Sequence, residues 1–129
     1  MRGYLLDTSV CLIAPEDPHL LSKAVQTAVL DGPNYLSVVS YWEVMLKSMK
    51  GNLQVGDPRI WWRDVLVELA GVPLYLVPQH VAQVHSLPPI HQDPFDRVLI
   101  AQAIAEDLTL VTTDAEVARY ASSHLRVVV

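Results

Sequence analysis

A buried helix is predicted by one stretch of the sequence, His91-Gln92-Asp93-Pro94-Phe95-Asp96-Arg97-Val98-Leu99-Ile100-Ala101-Gln102-Ala103-Ile104-Ala105. Asp93 is a favourable N-cap, because its carboxylate accepts from free N–H groups of the first turn. After Arg97 nearly every residue is apolar, and a helix that is apolar on most faces packs inside a domain. The first turn nevertheless carries Asp93 and Asp96, although the helix dipole stabilises an acid there by only about 0.3–1 kcal/mol. The second acid therefore indicates a cation nearby.

The composition predicts one apolar, globular domain over residues 1–129. The chain has 51% hydrophobic and 18% charged residues, and a chain of this length buries roughly two-thirds of its unfolded surface. Its net charge of −5 gives no general attraction to nucleic acid, so a phosphate substrate needs local basic residues or metal ions. Cys11 is the single cysteine, which excludes an internal disulfide and favours a buried thiol.

The chain start meets Asp7 too early for the apolar core of a signal peptide. No apolar run approaches the roughly 20 residues that cross a bilayer. We therefore expect a cytoplasmic protein without a membrane segment.

Strands and helices are predicted to alternate along the whole chain. Such alternation indicates βαβ units and a mostly parallel sheet that is covered on both faces, here a three-layer α/β sandwich with five strands. Strands are expected over 4–6, 35–39, 74–77, 108–112 and 125–129, and helices over 10–14, 17–29, 41–50, 58–71, 78–86, 94–105 and 114–121.

Acidic residues recur where these elements meet. Asp7 and Asp114 each follow a predicted strand, and Glu43 and Asp96 lie in the first turns of predicted helices. Ligand sites of parallel sheets lie beyond the carboxyl ends of the strands, so all four are expected at one end. Clustered carboxylates repel each other unless a cation joins them, and Mg²⁺ and Mn²⁺ prefer oxygen ligands. Such a centre activates water for attack on a phosphodiester.

Each acid, taken alone, is explained more simply as a helix cap. Ser40-Tyr41-Trp42-Glu43 matches a capping box, in which Glu43 reaches back to the Ser40 N–H. Asp7 and Asp114 also suit N-cap positions. Asp57-Pro58 shows the same chemistry after a loop and is assigned a structural role. The metal-site hypothesis therefore depends on convergence of the acids.

Nearly the whole chain resembles PIN-domain proteins, and within that group the VapC toxins of bacterial toxin–antitoxin pairs. The most specific match is the DPFDR-x-LIAQA run, and Gln92 departs from the pattern where a basic residue is common. The matching segments are Leu6-Asp7-Thr8-Ser9, Ser37–Val44 with Lys47, Gly51-Asn52-Leu53, Leu87–Ala103 and Leu110-Val111-Thr112-Thr113-Asp114.

The resemblance implies a sheet order of 3-2-1-4-5, which places Asp7 beside Asp114. It also implies a Mg²⁺- or Mn²⁺-dependent ribonuclease that forms a homodimer and binds a cognate antitoxin protein. One or two ions would be held by Asp7, Glu43, Asp96 and Asp114. The resemblance also implies accessory roles near the metal. Asp93 would be an accessory acid or a helix cap, and Thr112 and Ser9 would be polar residues that orient a ligand or water.

Several further residues keep two interpretations. Arg97 is either a phosphate clamp or orienter of the acids, or a partner in a structural ion pair. Lys47 pairs with Glu43 at i,i+4 spacing or contacts RNA. Trp61 and Trp62 mark a candidate interface helix, together with the helix around 44–46, or else pack on the core. Of the histidines, His80 and His85 lack zinc-site spacing, and His91 is assigned no catalytic role.

Three other functions remain open from the residues. A related nuclease would cut structured DNA instead of RNA, and a non-catalytic module would bind RNA or a partner without cutting. The intact set of acids argues against a pure binder. A receiver-type or phosphatase-type acidic site needs a lysine after a late strand, and no lysine follows Lys50.

Overall fold

The fold is a parallel sheet with helices on both faces, and the computed structural model describes residues 2–129. The five strands run in the order β3-β2-β1-β4-β5, and each neighbouring pair is parallel, which confirms the predicted sheet. The strands are β1 (Tyr4–Leu6), β2 (Asn34–Ser37), β3 (Gly71–Leu74), β4 (Thr109–Val111) and β5 (Val127–Val128). The helices are α1 (Thr8–Ile13), α2 (Lys23–Asp31), α3 (Val38–Met49), α4 (Pro58–Glu68), α5 (Pro78–Val84), α6 (Pro94–Glu106) and α7 (Ala115–Ala118), with a 3₁₀ turn at Pro18–Leu20.

Two apolar cores lie on the two faces of the sheet. Leu6 of β1 points into the first core, where α1, α2 and α4 pack, and its neighbour Leu5 points into the second, where α6 and α7 pack. Cys11 belongs to the first core, and burial raises the pKa of its thiol. No helix within residues 2–129 has the length and hydrophobicity required to span a bilayer.

The strand order creates one crevice in the sheet. From β1 the chain moves outward to β2 and β3, whereas β4 lies on the other side of β1 and continues to β5. Parallel sheets bind ligands at such a reversal, beyond the carboxyl ends of the strands. Asp7 follows β1 directly and Thr112 follows β4, so both side chains lie at this crevice.

The start of α3 differs from the predicted one. Ser37 caps this helix, because its hydroxyl accepts from the Val39 N–H at 3.0 Å as the chain leaves β2. The predicted capping box at Ser40 is therefore wrong: Ser40 is a buried helical residue. Glu43 instead directs its carboxylate toward Thr8 and Lys47.

The third strand also lies earlier than predicted, at Gly71–Leu74 instead of 74–77. Its parallel register with β2 pairs Asn34 with Gly71 and Ser37 with Leu74, so pairing ends where β2 ends. The apolar residues beyond it are exposed, which explains why their hydrophobicity misled the prediction.

A buried chain of polar side chains joins α6 to both of its neighbours. Gln102 is fully buried; its Oε1 accepts from the Ser37 hydroxyl at 2.6 Å, and its Nε2 lies 3.3 Å from His80 Nδ1. The other ring nitrogen of His80 lies 2.7 Å from Glu106 Oε2. These contacts fix α6 against β2 and α5.

We expect Gln102→Ala to lower the free energy of unfolding by about 2–4 kcal/mol, because it opens a cavity and removes the partner of buried polar groups. Denaturant unfolding followed by circular dichroism measures this. The matched control is Gln79→Ala, because Gln79 is an exposed residue of α5, and it should change stability by no more than about 0.5 kcal/mol. Equal effects of the two substitutions would contradict a structural role for the polar chain.

Candidate metal centre

An acidic cleft of about 260 Å³ opens at the carboxyl ends of β1 and β4. It receives side chains from α3 and from the starts of α6 and α7, elements that are far apart in sequence. The sheet order therefore brings together the four acids predicted as metal ligands, with one further acid beside them. The acids lining it are Asp7, Glu43, Asp93, Asp96 and Asp114.

Asp7 is the most rigidly held of these acids. It is 4% exposed, and its Oδ1 accepts from the Val10 N–H at 3.0 Å and from the Ser9 hydroxyl at 2.7 Å. The hydroxyl of Thr112 donates a short hydrogen bond to Oδ2. Burial raises the pKa of Asp7, although these hydrogen bonds oppose the shift. Ser9 and Thr112 were predicted to orient a ligand or water, and both hydrogen-bond to the carboxylate of Asp7.

Glu43 is also buried, on the second turn of α3. Thr8 donates to its Oε1 at 2.7 Å, and Lys47 Nζ lies 2.6 Å from its Oε2. The Ser40 hydroxyl lies 2.9 Å from Thr8 Oγ1 and completes the group. The carboxylate raises the pKa of Lys47 through its hydrogen bond, so this lysine carries the positive charge beside Glu43.

Asp96 lies among the other carboxylates of the cleft. Asp93 caps α6 through the Phe95 N–H at 2.9 Å, which leaves Asp96 in the first turn, facing the other acids. Burial, followed by the charges of Asp93, Glu43 and Asp7, raises the pKa of Asp96 to about 7. The ionised form is therefore disfavoured until a cation arrives.

Asp114 caps α7 and faces the same cleft. Its Oδ1 accepts from the Glu116 N–H at 2.9 Å, and its Oδ2 lies 3.2 Å from His91 Nε2. The same nitrogen lies 3.3 Å from Asp96 Oδ2. His91 thus lies between two acids at the crevice. The sequence assigned it no role, because its spacing does not predict these contacts, which depend on the path of the loop before α6.

Arg97 does not enter the acidic cluster. Its guanidinium donates to the carbonyls of Pro88 and His91 and to the Tyr120 hydroxyl, at 3.1, 3.3 and 3.2 Å. Among the described contacts of residues 2–129 it forms no ion pair with an acid, so the interpretation of Arg97 as an ion-pair partner is wrong. Its role as a phosphate clamp or an orienter of the acids stays a prediction. Its position instead braces the loop that carries His91.

The aromatic residues divide between core and surface. Trp61 and Trp62 are half-buried against the first core, and Trp62 stacks on Tyr41 with ring centroids 5.0 Å apart. Trp42 is the exposed tryptophan, at 55%, and packs edge-on against Phe95. Adjacent tryptophans therefore both reach the core here.

The donor set fits a hard divalent cation. Carboxylate oxygens from Asp7, Glu43, Asp96 and Asp114 face one cleft, and oxygen is the ligand that Mg²⁺ and Mn²⁺ prefer. Burial and then the neighbouring carboxylates raise the pKa of Asp96, and a bound cation would favour its ionised form. Ligand-type atoms of His91, Asp96 and Asp114 also lie within 4.8 Å of one another.

Comparison with known proteins matches the PIN domain family model to residues 4–122. Solved structures with the same fold include VapBC2 of Rickettsia felis bound to a promoter DNA fragment (TM-score 0.69, 15% identity, 98% of each chain covered). DNA-bound VapBC of Salmonella typhimurium gives a TM-score of 0.68 at 15% identity, over 98% of this chain and 97% of that one. FitAcB of Neisseria gonorrhoeae gives 0.60 at 22% identity, over 95% and 96%. A comparison with curated protein sequences finds no match.

The raised pKa of Asp96 generates a prediction for the metal-free protein. Between its ordinary value of 3.8 and about 7, the folded protein holds a proton that the unfolded chain has released. Folding stability should therefore fall as the pH rises through this window. In EDTA at pH 8, we expect Asp96→Asn to melt about 4 °C or more above the wild type, and the difference should shrink at pH 5.

The control for this measurement is Asp57→Asn. Arg59 lowers the pKa of the half-buried Asp57 to about 2, so this carboxylate favours folding at neutral pH and its removal should not stabilise the protein. A pH-independent difference for Asp96→Asn would contradict the electrostatic origin of the effect. Differential scanning fluorimetry at the two pH values provides both melting temperatures.

Proposed function

Because the chain belongs to the PIN domain family, we propose that it is a cytoplasmic, metal-dependent endoribonuclease and the toxin of a toxin–antitoxin pair. PIN domains are nucleases, and the RNA substrate, the Mg²⁺ or Mn²⁺ requirement and the toxin role are the proposed part. One observation carries it: Asp7, Glu43, Asp96 and Asp114 converge in one cleft although four separate elements supply them.

The acids of the cleft act as ligands in this proposal, without a protein nucleophile. Asp7, Glu43, Asp96 and Asp114 would hold one or two ions. When bound, a divalent cation supplies an activated water and neutralises charge on the scissile phosphate. Thr112 and Ser9 fix the carboxylate of Asp7, and Thr8 fixes that of Glu43, so the ligands are oriented before any ion binds.

Asp93 serves the cleft indirectly. Its Oδ1 is committed to the Phe95 N–H, and its charge helps to raise the pKa of Asp96. We therefore propose that Asp93 caps α6 and adds negative potential to the cleft, as an accessory acid. The ion pair of Lys47 with Glu43 keeps a cationic side chain at the rim, where a substrate phosphate would approach.

The first experiment is cleavage of single-stranded RNA and of matched DNA by the purified chain, with Mg²⁺ or Mn²⁺ and with excess EDTA. We expect RNA cleavage that requires the metal. Asp96→Asn should lower the rate by about 100-fold or more, the cost of removing a stabilising group at the reacting centre. Asp93, and not Asp96, caps α6, so the substitution leaves the helix start intact and the variant should fold.

Asp57→Asn is again the matched control, and it should cleave like the wild type. Cleavage that persists in EDTA, or that is equal in Asp96→Asn, would contradict the proposal. Faster cleavage of DNA would favour the DNA nuclease, and RNA binding without cleavage would favour the non-catalytic module.

The antitoxin is proposed to bind a groove beside the cleft. This groove, of about 290 Å³, lies between α1 and α4, and Leu12 lines both it and the acidic cleft. Trp61 and the exposed Ile60 supply apolar surface, and exposed Asp64 and Glu68 supply negative charge. The groove therefore fits a segment that is both apolar and basic. The solved complexes with this fold contain VapB and VapC chains or FitA and FitB chains, which supports a protein partner.

We expect Asp64→Lys combined with Glu68→Lys to weaken binding of the protein encoded by a short neighbouring open reading frame about tenfold, mainly through slower association. Surface plasmon resonance measures both rates. Glu116→Lys, an exposed acid on α7, is the control and should leave binding unchanged. Unchanged rates for the double variant would place the partner elsewhere.

The exposed face of α3 supports the proposed homodimer. Trp42 is 55% and Met49 75% exposed on this helix, within the segment predicted as an interface. Large exposed apolar side chains of this kind are enriched where proteins associate. Sedimentation of the purified chain tests the dimer directly.

A further inference from the structure

We propose that His91 is a positioning residue, whose imidazole N–H holds Asp96 and Asp114 in the arrangement that binds the cation. The inference rests on the proposed metal-binding role of these acids. It assigns a task to a residue for which the sequence predicted none.

The hydrogen bonds of His91 determine which nitrogen carries the proton. The backbone N–H of Asp93 donates to His91 Nδ1 at 3.0 Å. Because Nδ1 accepts a hydrogen bond, the proton of the neutral ring lies on Nε2. Nε2 is therefore a donor, and a donor nitrogen has no lone pair to offer a metal ion.

Two carboxylates lie close to this N–H, and they come from the starts of different helices. Asp114 Oδ2 lies 3.2 Å and Asp96 Oδ2 3.3 Å from Nε2. Asp114 has a second constraint, since its Oδ1 caps α7. The carboxylate of Asp96, among the described contacts of residues 2–129, lies close to the same nitrogen, with its Oδ2 3.3 Å from His91 Nε2. The imidazole of His91 thus stands between the two carboxylates.

The backbone of His91 is itself held in place. The backbone N–H of His91 donates to the Tyr120 hydroxyl at 2.7 Å. Arg97 donates to the same hydroxyl at 3.2 Å and to the His91 carbonyl at 3.3 Å. Tyr120 is buried in the second core, so the loop carrying His91 is anchored to the interior.

This arrangement joins the starts of α6 and α7 through one side chain. Groups that hydrogen-bond to metal ligands orient them, and their loss commonly costs about 10–100-fold in metal affinity. Arg97 and Tyr120 contribute one step further away, by fixing the orienting residue.

The test compares three variants of His91 by calorimetric titration with Mn²⁺. His91→Gln places an amide N–H the same number of bonds from Cα as Nε2 and so keeps the donor. His91→Asn keeps an acceptor at the position of Nδ1 but has no donor at the position of Nε2, and His91→Ala has neither group. We expect His91→Asn and His91→Ala to bind Mn²⁺ about 10-fold more weakly or worse, and His91→Gln to restore most of the affinity.

The control is His124→Ala, an exposed histidine remote from the cleft, which should bind Mn²⁺ like the wild type. Thermal melts in EDTA establish that each variant is folded, and if His91→Ala does not fold, the Gln and Asn variants decide. Equal affinities across the variants, tighter binding after loss of the imidazole, or a Gln variant as weak as the Ala variant would each overturn the inference.

A second readout addresses the donor directly. Long-range ¹H–¹⁵N spectra distinguish the two ring tautomers, and we expect the Nε2–H form of His91 with and without Mg²⁺. Conversion to the Nδ1–H form on adding Mg²⁺ would make His91 a ligand and overturn the inference. A wild type that binds no Mn²⁺ overturns the proposed function and this inference together. A wild type that binds, with unchanged variants, overturns this inference alone.

Discussion

A sheet that is covered on both faces restricts where charge can be placed, and this restriction organises the molecule. All residues of β1 and β4 are buried, and their side chains alternate between two apolar layers. An ionised group within either layer would lose its hydration without compensation. The carboxylate of Asp7 therefore lies just beyond the end of β1, where it meets the hydroxyl of Thr112 just beyond the end of β4. The strand order places the crevice at the same point, between β1 and β4.

Helix capping and ligand placement are combined in the same side chains. Asp7 caps α1 and Asp114 caps α7, and in each case Oδ1 takes the helix N–H while Oδ2 faces the cleft. A carboxylate has two oxygens, so one fixes the side chain and the other remains directed at the site. The helix starts also bring partial positive charge to a crowded group of acids. From the sequence, these acids could be explained either as helix caps or as metal ligands. In the fold, each acid can serve as both.

The sequence predicted most of the architecture because it depends on local patterns. Alternating apolar runs and helix caps identified the parallel sheet, and the resemblance supplied its order, which the fold confirms. The same patterns placed the cap of α3 at Ser40, since Ser37 and Ser40 are equally good caps and only the end of β2 decides between them. The position of β3 was missed for a similar reason, because its bounds follow from register with β2.

Side-chain contacts between residues far apart in the chain could not be predicted from the sequence. The bond from Thr8 to Glu43 and the bridge from His91 to Asp96 and Asp114 depend on how α1, α3 and the loop before α6 pack together. Gln102 belongs to the same class, since its partners lie on β2 and α5. Arg97 was recognised as important, but its acceptors are carbonyls and a hydroxyl that no spacing rule connects with it.

The burial of Cys11 has a practical consequence for solution studies. Its thiol is fully enclosed in the first core, and its pKa is raised, so the reactive thiolate is scarce at neutral pH. Maleimide and iodoacetamide reagents should bypass it in the native state. A cysteine introduced on an exposed helix would then be the single site of labelling, without removal of the natural one. Fluorophores and spin labels can thus be attached to this molecule with its core left intact.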